Sequence, residues 1–123
     1  LTDTALQRAG MDYWKSLNPV ILNDLDEFFE WANNKRVFYL SAHGQQSYTA
    51  ARYQSGDALV FGSESTGLPT RVFEHAKAAN SLITLPMLQN TRCINVSSAA
   101  AASVYEALRQ IYGWSSPSGP ENP

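Results

Sequence analysis

The chain has 123 residues, 44% apolar and 16% charged, enough to bury one core and too apolar for a disordered segment. Its formal charge of −2 lacks the basic field of a dedicated nucleic-acid binder, so nucleic acid would have to be met by a local patch. A lone cysteine, Cys93, excludes a disulfide frame and favours a reducing, cytoplasmic setting, while His43 and His75 lie too far from it in sequence to suggest a zinc cluster.

In chain order, "TDTALQRAG" predicts a short helix capped by Thr2 or Asp3 and stopped at Gly10. "PVIL", Pro19 to Leu22, predicts a short strand. Leu25, Phe28, Phe29 and Ala32 then fall at helical spacing, with Asn23 as the expected cap. Asp24, Asp26 and Glu27 crowd the positive end of that helix, and Lys35 and Arg36 are expected at its other end. "RVFYLSA" and "ALVFG" read as strands. Pro69 suits the first turn of a helix running to about Lys77. "SLITLP" is a third strand, and a last helix is expected from near Ser97 to Gly113, with Val104, Leu108 and Ile111 along one stripe. The tail "GWSSPSGPENP" has the composition of a disordered segment. No apolar run reaches the length of a membrane span, no basic-then-apolar leader opens the chain, and Leu1 suggests a piece shorter than the gene product.

Strands alternating with helices predict an α/β fold with a largely parallel sheet. Ligands of such sheets bind beyond the carboxyl ends of the strands. Three segments leave strands that way: Ser41 to Gly44, Gly62 to Gly67, and Pro86 to Asn95. The middle one, "FGSESTGLP", has three possible meanings. As a nucleophile elbow with Ser65 reactive, it fails at Ser63, where the pattern needs glycine, and no acid–histidine pair follows at sensible spacing. As a phosphate loop it lacks the lysine, and Glu64 would repel the anion. As a nucleoside pocket it is permitted, because Gly62 and Gly67 let backbone approach a ring and ribose closely.

"RAGMDYW", "FGSESTGLP", "LPM" and "TRCINVSSAAAASVYEALRQ" occur in one order along the chain. This series resembles the SPOUT superfamily of RNA methyltransferases. More narrowly, it is similar to the TrmL-type subgroup that methylates the ribose 2′-hydroxyl of the wobble nucleotide (position 34, cytidine or uridine) in tRNA. The resemblance covers about Asp3 to Tyr112. It implies an α/β fold whose three carboxyl-end loops form a trefoil knot around S-adenosylmethionine, and a homodimer that acts on tRNA without a metal or membrane. It implies that Leu40, Gly62, Gly67, Leu85, Cys93 and Ser97 bind that methyl donor. Arg92, Glu64 and Asn95 fall at the reacting site, and Tyr105 on the substrate side.

The pattern departs from the family in places. Cys93 and Ser98 stand where the family has serine and asparagine respectively. The N-T-G-N-x-x-R run of the family's amino end is absent, so residues 1–113 are expected to form a domain lacking the first strand and motif, with 114–123 as a disordered tail. Two classes stay open: the tRNA 2′-O-methyltransferase, and a catalytically inactive domain of the same fold that binds the methyl donor or RNA. On residue type alone, His43 and His75 read as surface or polar-contact groups, and Arg109 as a partner for Glu106. Trp14, Trp31 and Trp114 read as core and docking residues.

Overall fold

The computed structural model describes residues 17–86 and 95–114. The chain divides into two compact units, Leu1–Asn33 and Asn34–Pro123.

In the first unit, helix α1 spans Leu25–Ala32. Its apolar stripe is half-buried and ends on buried Ala32. The cap is Asp24, one residue later than expected: its Oδ1 accepts from Glu27 N at 2.9 Å, and the Glu27 carboxylate accepts from Asn23 N at 2.8 Å. The longer reach of glutamate and the shorter one of aspartate satisfy two end donors in this order. Lys35 and Arg36 lie beyond the helix. Nor is "PVIL" a strand. Val20 and Ile21 are 82% and 77% exposed in irregular backbone, and β-branched composition makes a strand only where a neighbouring strand takes up its hydrogen bonds.

The second unit is built on a four-stranded sheet of β1 (Val37–Leu40), β2 (Gln46–Ser47), β3 (Ala58–Phe61) and β4 (Leu82–Thr84). The spatial order is β2-β4-β1-β3 and every pairing is parallel. The last of the described strands is thus inserted between the first two. Gly44 shows how tightly: a Cβ there would lie 2.5 Å from the Ile83 carbonyl carbon, so the segment leaving β1 can cross β4 only without a side chain.

Alternation along β1 serves two faces. Tyr39 is buried, and its ring meets His75 of helix α2 (Thr70–Ala78) edge-on. Phe38 and Leu40 turn the other way, joining Ala51, Tyr53, Ile83, Leu59, Ala107 and Ile111. That second face is covered by helix α3, Val96–Tyr112, closed by Gly113 in the left-handed conformation (φ +62°). Helices on both faces are what a parallel sheet requires. Of the stripe expected on α3, Ile111 joins this cluster and Leu108 is half-buried, while the first position departs. Val104 is 41% exposed, and the buried positions are Ala99 and Ser103, whose Oγ donates to Ala99 O at 2.8 Å.

Polar ties fasten these layers. Gln110 of α3 accepts from Tyr53 N at 3.0 Å and donates to Ala51 O at 2.9 Å. Glu106 receives the Arg109 guanidinium at 2.8 and 3.0 Å, which holds its carboxyl below the usual range; the expected pairing of Arg109 is therefore present. Arg36, expected at the end of α1, instead pairs with Asp57 at 2.9 Å. Among the described residues no helix is long and apolar enough to cross a membrane. The helix predicted over 2–10 and the tail from 115 onward lie outside the described residues.

Candidate functional site

Parallel pairing brings the carboxyl ends of β1, β3 and β4 to one edge of the sheet, and the segments leaving them enclose a cavity of about 840 Å³. That is room for a nucleoside-sized ligand. Leu40, Phe61 and Leu85 give it apolar walls, Thr84 and Ser41 add hydroxyls, and Val96 and Ala99 of α3 close one side. The small first turns of α3 are thus used against the cavity as well as against the sheet.

The 62–67 segment forms the wall with the most chemistry. Ser63 and Gly67 exchange both backbone hydrogen bonds, at 3.1 and 2.9 Å. The Ser63 and Thr66 hydroxyls pair at 2.6 Å. Gly67 has φ +71°, a conformation that favours glycine. At Gly62 the reason differs from the one expected. A Cβ there would run into the Gly67 and Leu68 backbone, so this glycine lets the loop close on itself. Ser65 lines the cavity as one hydroxyl of this turn, and no elbow geometry surrounds it.

Across the cavity edge, Asn95 joins this loop to α3. Its Nδ2 donates to Glu64 Oε1 at 2.8 Å, and its Oδ1 accepts from Ser97 N at 2.7 Å, capping the helix. One side chain therefore fixes a helix start and a loop carboxylate together. Glu64 lines the cavity and keeps a second oxygen for another donor.

Of the expected site residues, Leu40, Gly62, Glu64, Gly67 and Leu85 line this one cavity, and Asn95 reaches it through Glu64. Ser97 is exposed and lies outside the lining, and its N–H donates to Asn95 at the start of α3. Tyr105 is 64% exposed and packs against Trp114 at 5.9 Å, away from the lining. Arg92 and Cys93 lie outside the described residues. Phe61 and Thr84 were not singled out by sequence; both end strands, and that position is the signal that could have found them. His43, read from sequence as a surface or polar-contact group, is exposed and lines the cavity.

Residues 1–105 match the SpoU rRNA Methylase family. The tRNA (cytidine(34)-2'-O)-methyltransferase of Escherichia coli (strain K12) is 38% identical over 109 residues, covering 89% of this chain and 69% of that protein. The chain belongs to the SpoU methylase family. A solved family structure, from a study of 2-OH methylation of C/U34 on tRNA, superposes with a TM-score of 0.79 at 36% identity, covering 93% of this chain and 73% of that one. A more distant member, an AdoMet-bound rRNA methyltransferase from Sinorhizobium meliloti, gives a TM-score of 0.57 at 26% identity over 68% of this chain and 32% of that one. The α/β-knot fold expected from the sequence is accordingly the SpoU family's fold here. Most of the third loop, residues 87–94, falls outside the described residues.

Proposed function

We propose that this chain is a tRNA 2′-O-ribose methyltransferase acting on the wobble nucleotide, cytidine or uridine 34, with S-adenosylmethionine as methyl donor. The observation that carries the reading is the closed Gly62–Gly67 loop, joined to the α3 cap through Glu64 and Asn95 at the carboxyl edge of the sheet. It occurs in a chain 38% identical to a cytidine(34) 2'-O-methyltransferase.

The cavity fits the donor: its volume suits a nucleoside, its walls are apolar, and strand-end backbone at Leu40, Gly62 and Leu85 borders it. Gly67, Cys93 and the capped Ser97 complete the proposed holding set. Bound S-adenosylmethionine would supply a methyl group already activated on a sulfonium. The protein is then asked for alignment and for removal of a proton from a weakly acidic hydroxyl. Glu64, held by Asn95, presents the acceptor for donors in the cavity, Arg92 is the cation proposed beside the ribose oxygen, and Tyr105 is assigned to the RNA side. We further read the working form as a cytoplasmic homodimer, with residues 1–113 as its methyltransferase domain.

Titration with S-adenosylmethionine, followed by labelled methyl transfer to unmodified tRNA, tests this. Saturable binding with transfer is expected. Binding without transfer would leave an inactive donor-binding domain, and no binding would remove both readings.

A further inference from the structure

Two walls of the cavity are loops, and each is fastened to a helix end by a carboxamide side chain. Asn95 does this for the 62–67 loop, at the start of α3. Gln45 does it for the turn after β1, at the end of α2. Its Nε2 donates to Lys77 O at 3.2 Å and to Asn80 Oδ1 at 3.1 Å. Lys77 lies in the last turn of α2, where carbonyls lack a partner within the helix. Asn80 turns the chain out of that helix in the left-handed conformation, φ +54°. Gln45 itself is exposed and lies outside the cavity lining.

The turn it fastens has a demanding path. Residues 41–45 carry the chain from β1 to β2, which lie on opposite sides of β4. Ser41 N donates to Ile83 O at 3.0 Å and Gln45 N to Leu82 O at 3.1 Å, so β4 fixes the turn at both ends. Between them Gly44 lies against the Ile83 backbone. Ser41 accepts from His43 N at its hydroxyl and from Gly44 N at its carbonyl, each at 3.1 Å. Ser41, Ala42 and His43 then form the wall. These bonds lie within the turn or run to the strand beneath it. The Gln45 amide adds a tie to α2, whose first residues line the same cavity at Thr70 and Phe73. A wall fixed before its ligand arrives loses less entropy on binding.

We infer that Gln45 is a positioning residue for the methyl donor: by donating to the end of α2 it holds the 41–44 turn in its binding shape from outside the cavity. This rests on the methyltransferase reading and adds a residue to it. Both bonds come from an exposed side chain, so their joint loss should weaken donor binding only about fivefold. Because Gln45 does not line the cavity, that change must pass through the turn. The chemical step should keep its rate once the donor is bound.

The test is calorimetric titration of S-adenosylmethionine into the full chain and into its Gln45→Ala and Gln45→Lys variants. KM and kcat on unmodified tRNA, thermal unfolding and amide exchange are measured alongside. Gln45→Ala should bind the donor about fivefold more weakly, with KM for the donor raised by the same factor and kcat at saturating donor unchanged. Amide exchange at residues 42–44 should be faster in that variant. Gln45→Lys supplies an ammonium with donors for both acceptors, and it should return affinity and exchange close to those of the unmodified chain. If Gln45→Ala binds the donor as tightly as the unmodified chain, whatever its melting temperature, the inference is overturned and the methyltransferase reading stands. Gln45→Lys binding as weakly as Gln45→Ala would also overturn it, because hydrogen-bond donation would then not be what holds the wall. If the unmodified chain itself binds no donor, the methyltransferase reading fails and the inference fails with it.

Discussion

Glu64 and Asn95 are 31 positions apart in sequence, and one 2.8 Å hydrogen bond makes them a unit. Asn95 uses its amide twice, donating to the carboxylate and accepting from Ser97 N. Variants can separate the two tasks. Asn95→Ala removes both and should cost about 0.5–2 kcal/mol of stability through the lost cap. Asn95→Asp keeps a capping oxygen while setting a second negative charge against Glu64. It should melt close to the unmodified chain yet lose most affinity for the methyl donor; calorimetric titration beside thermal unfolding reads both. Equal donor affinity in Asn95→Asp would show that the Glu64 link has no part in binding. Spacing could not reveal this pair, because nothing local ties a loop glutamate to a distant cap. Only the motif resemblance brought them together in advance.

Tyr53 supplies the pH dependence at the same scale. Its phenol donates to the Tyr48 carbonyl at 2.5 Å, and burial, followed by the negative Glu106 and by Tyr48, pushes it up to about 12. A raised phenol pKa means the folded state resists ionisation, so the stabilisation is complete below about pH 10 and is lost as pH climbs towards 12. Denaturant midpoints followed across pH 9 to 12 should fall, and Tyr53→Phe should flatten that part of the decline. The substitution should also cost about 1 kcal/mol at neutral pH for the missing hydrogen bond.

At the scale of elements, strands and helices were legible where composition and pattern agreed. β1, β3, β4 and α2 fall within a residue or two of their sequence-based limits, because short β-rich runs bounded by small residues have few alternatives. α3 was found with its stop at Gly113 and with Ile111 on its inward side, but Val104 was misplaced there. Apolar periodicity assumes that the largest apolar residues face the core. Here the helix lies close enough to β3 and the cavity that Ala99 and Ser103 are the residues that fit. Ser103→Leu should therefore destabilise by about 1–3 kcal/mol through overpacking, whereas Val104→Ser on the exposed side should shift stability by about 0.5 kcal/mol or less; chemical denaturation of the two variants checks the assignment. "PVIL" misled for the opposite reason: its residues suit a strand by composition, but its backbone is irregular and Val20 and Ile21 are exposed.

For the molecule as a whole, the parallel sheet turns three separate strand ends into one cavity, and this much followed from the alternation of elements alone. What that cavity serves did not. Composition left enzyme and binding domain equally open, and the acidic balance pointed away from RNA. The family assignment, and a fold shared at a TM-score of 0.79 with a protein studied for C/U34 methylation, now support RNA as the partner. The order β2-β4-β1-β3 was also illegible, since it depends on a late strand entering between two earlier ones and no local pattern encodes that. The most direct test of the account is to incubate the chain with S-adenosylmethionine and unmodified tRNA, digest the RNA, and locate ribose methylation by mass spectrometry. A 2′-O-methyl group on nucleotide 34, absent when Glu64→Ala replaces the unmodified chain, is the predicted result. Methylation at another position, or none under conditions where the methyl donor demonstrably binds, would contradict it.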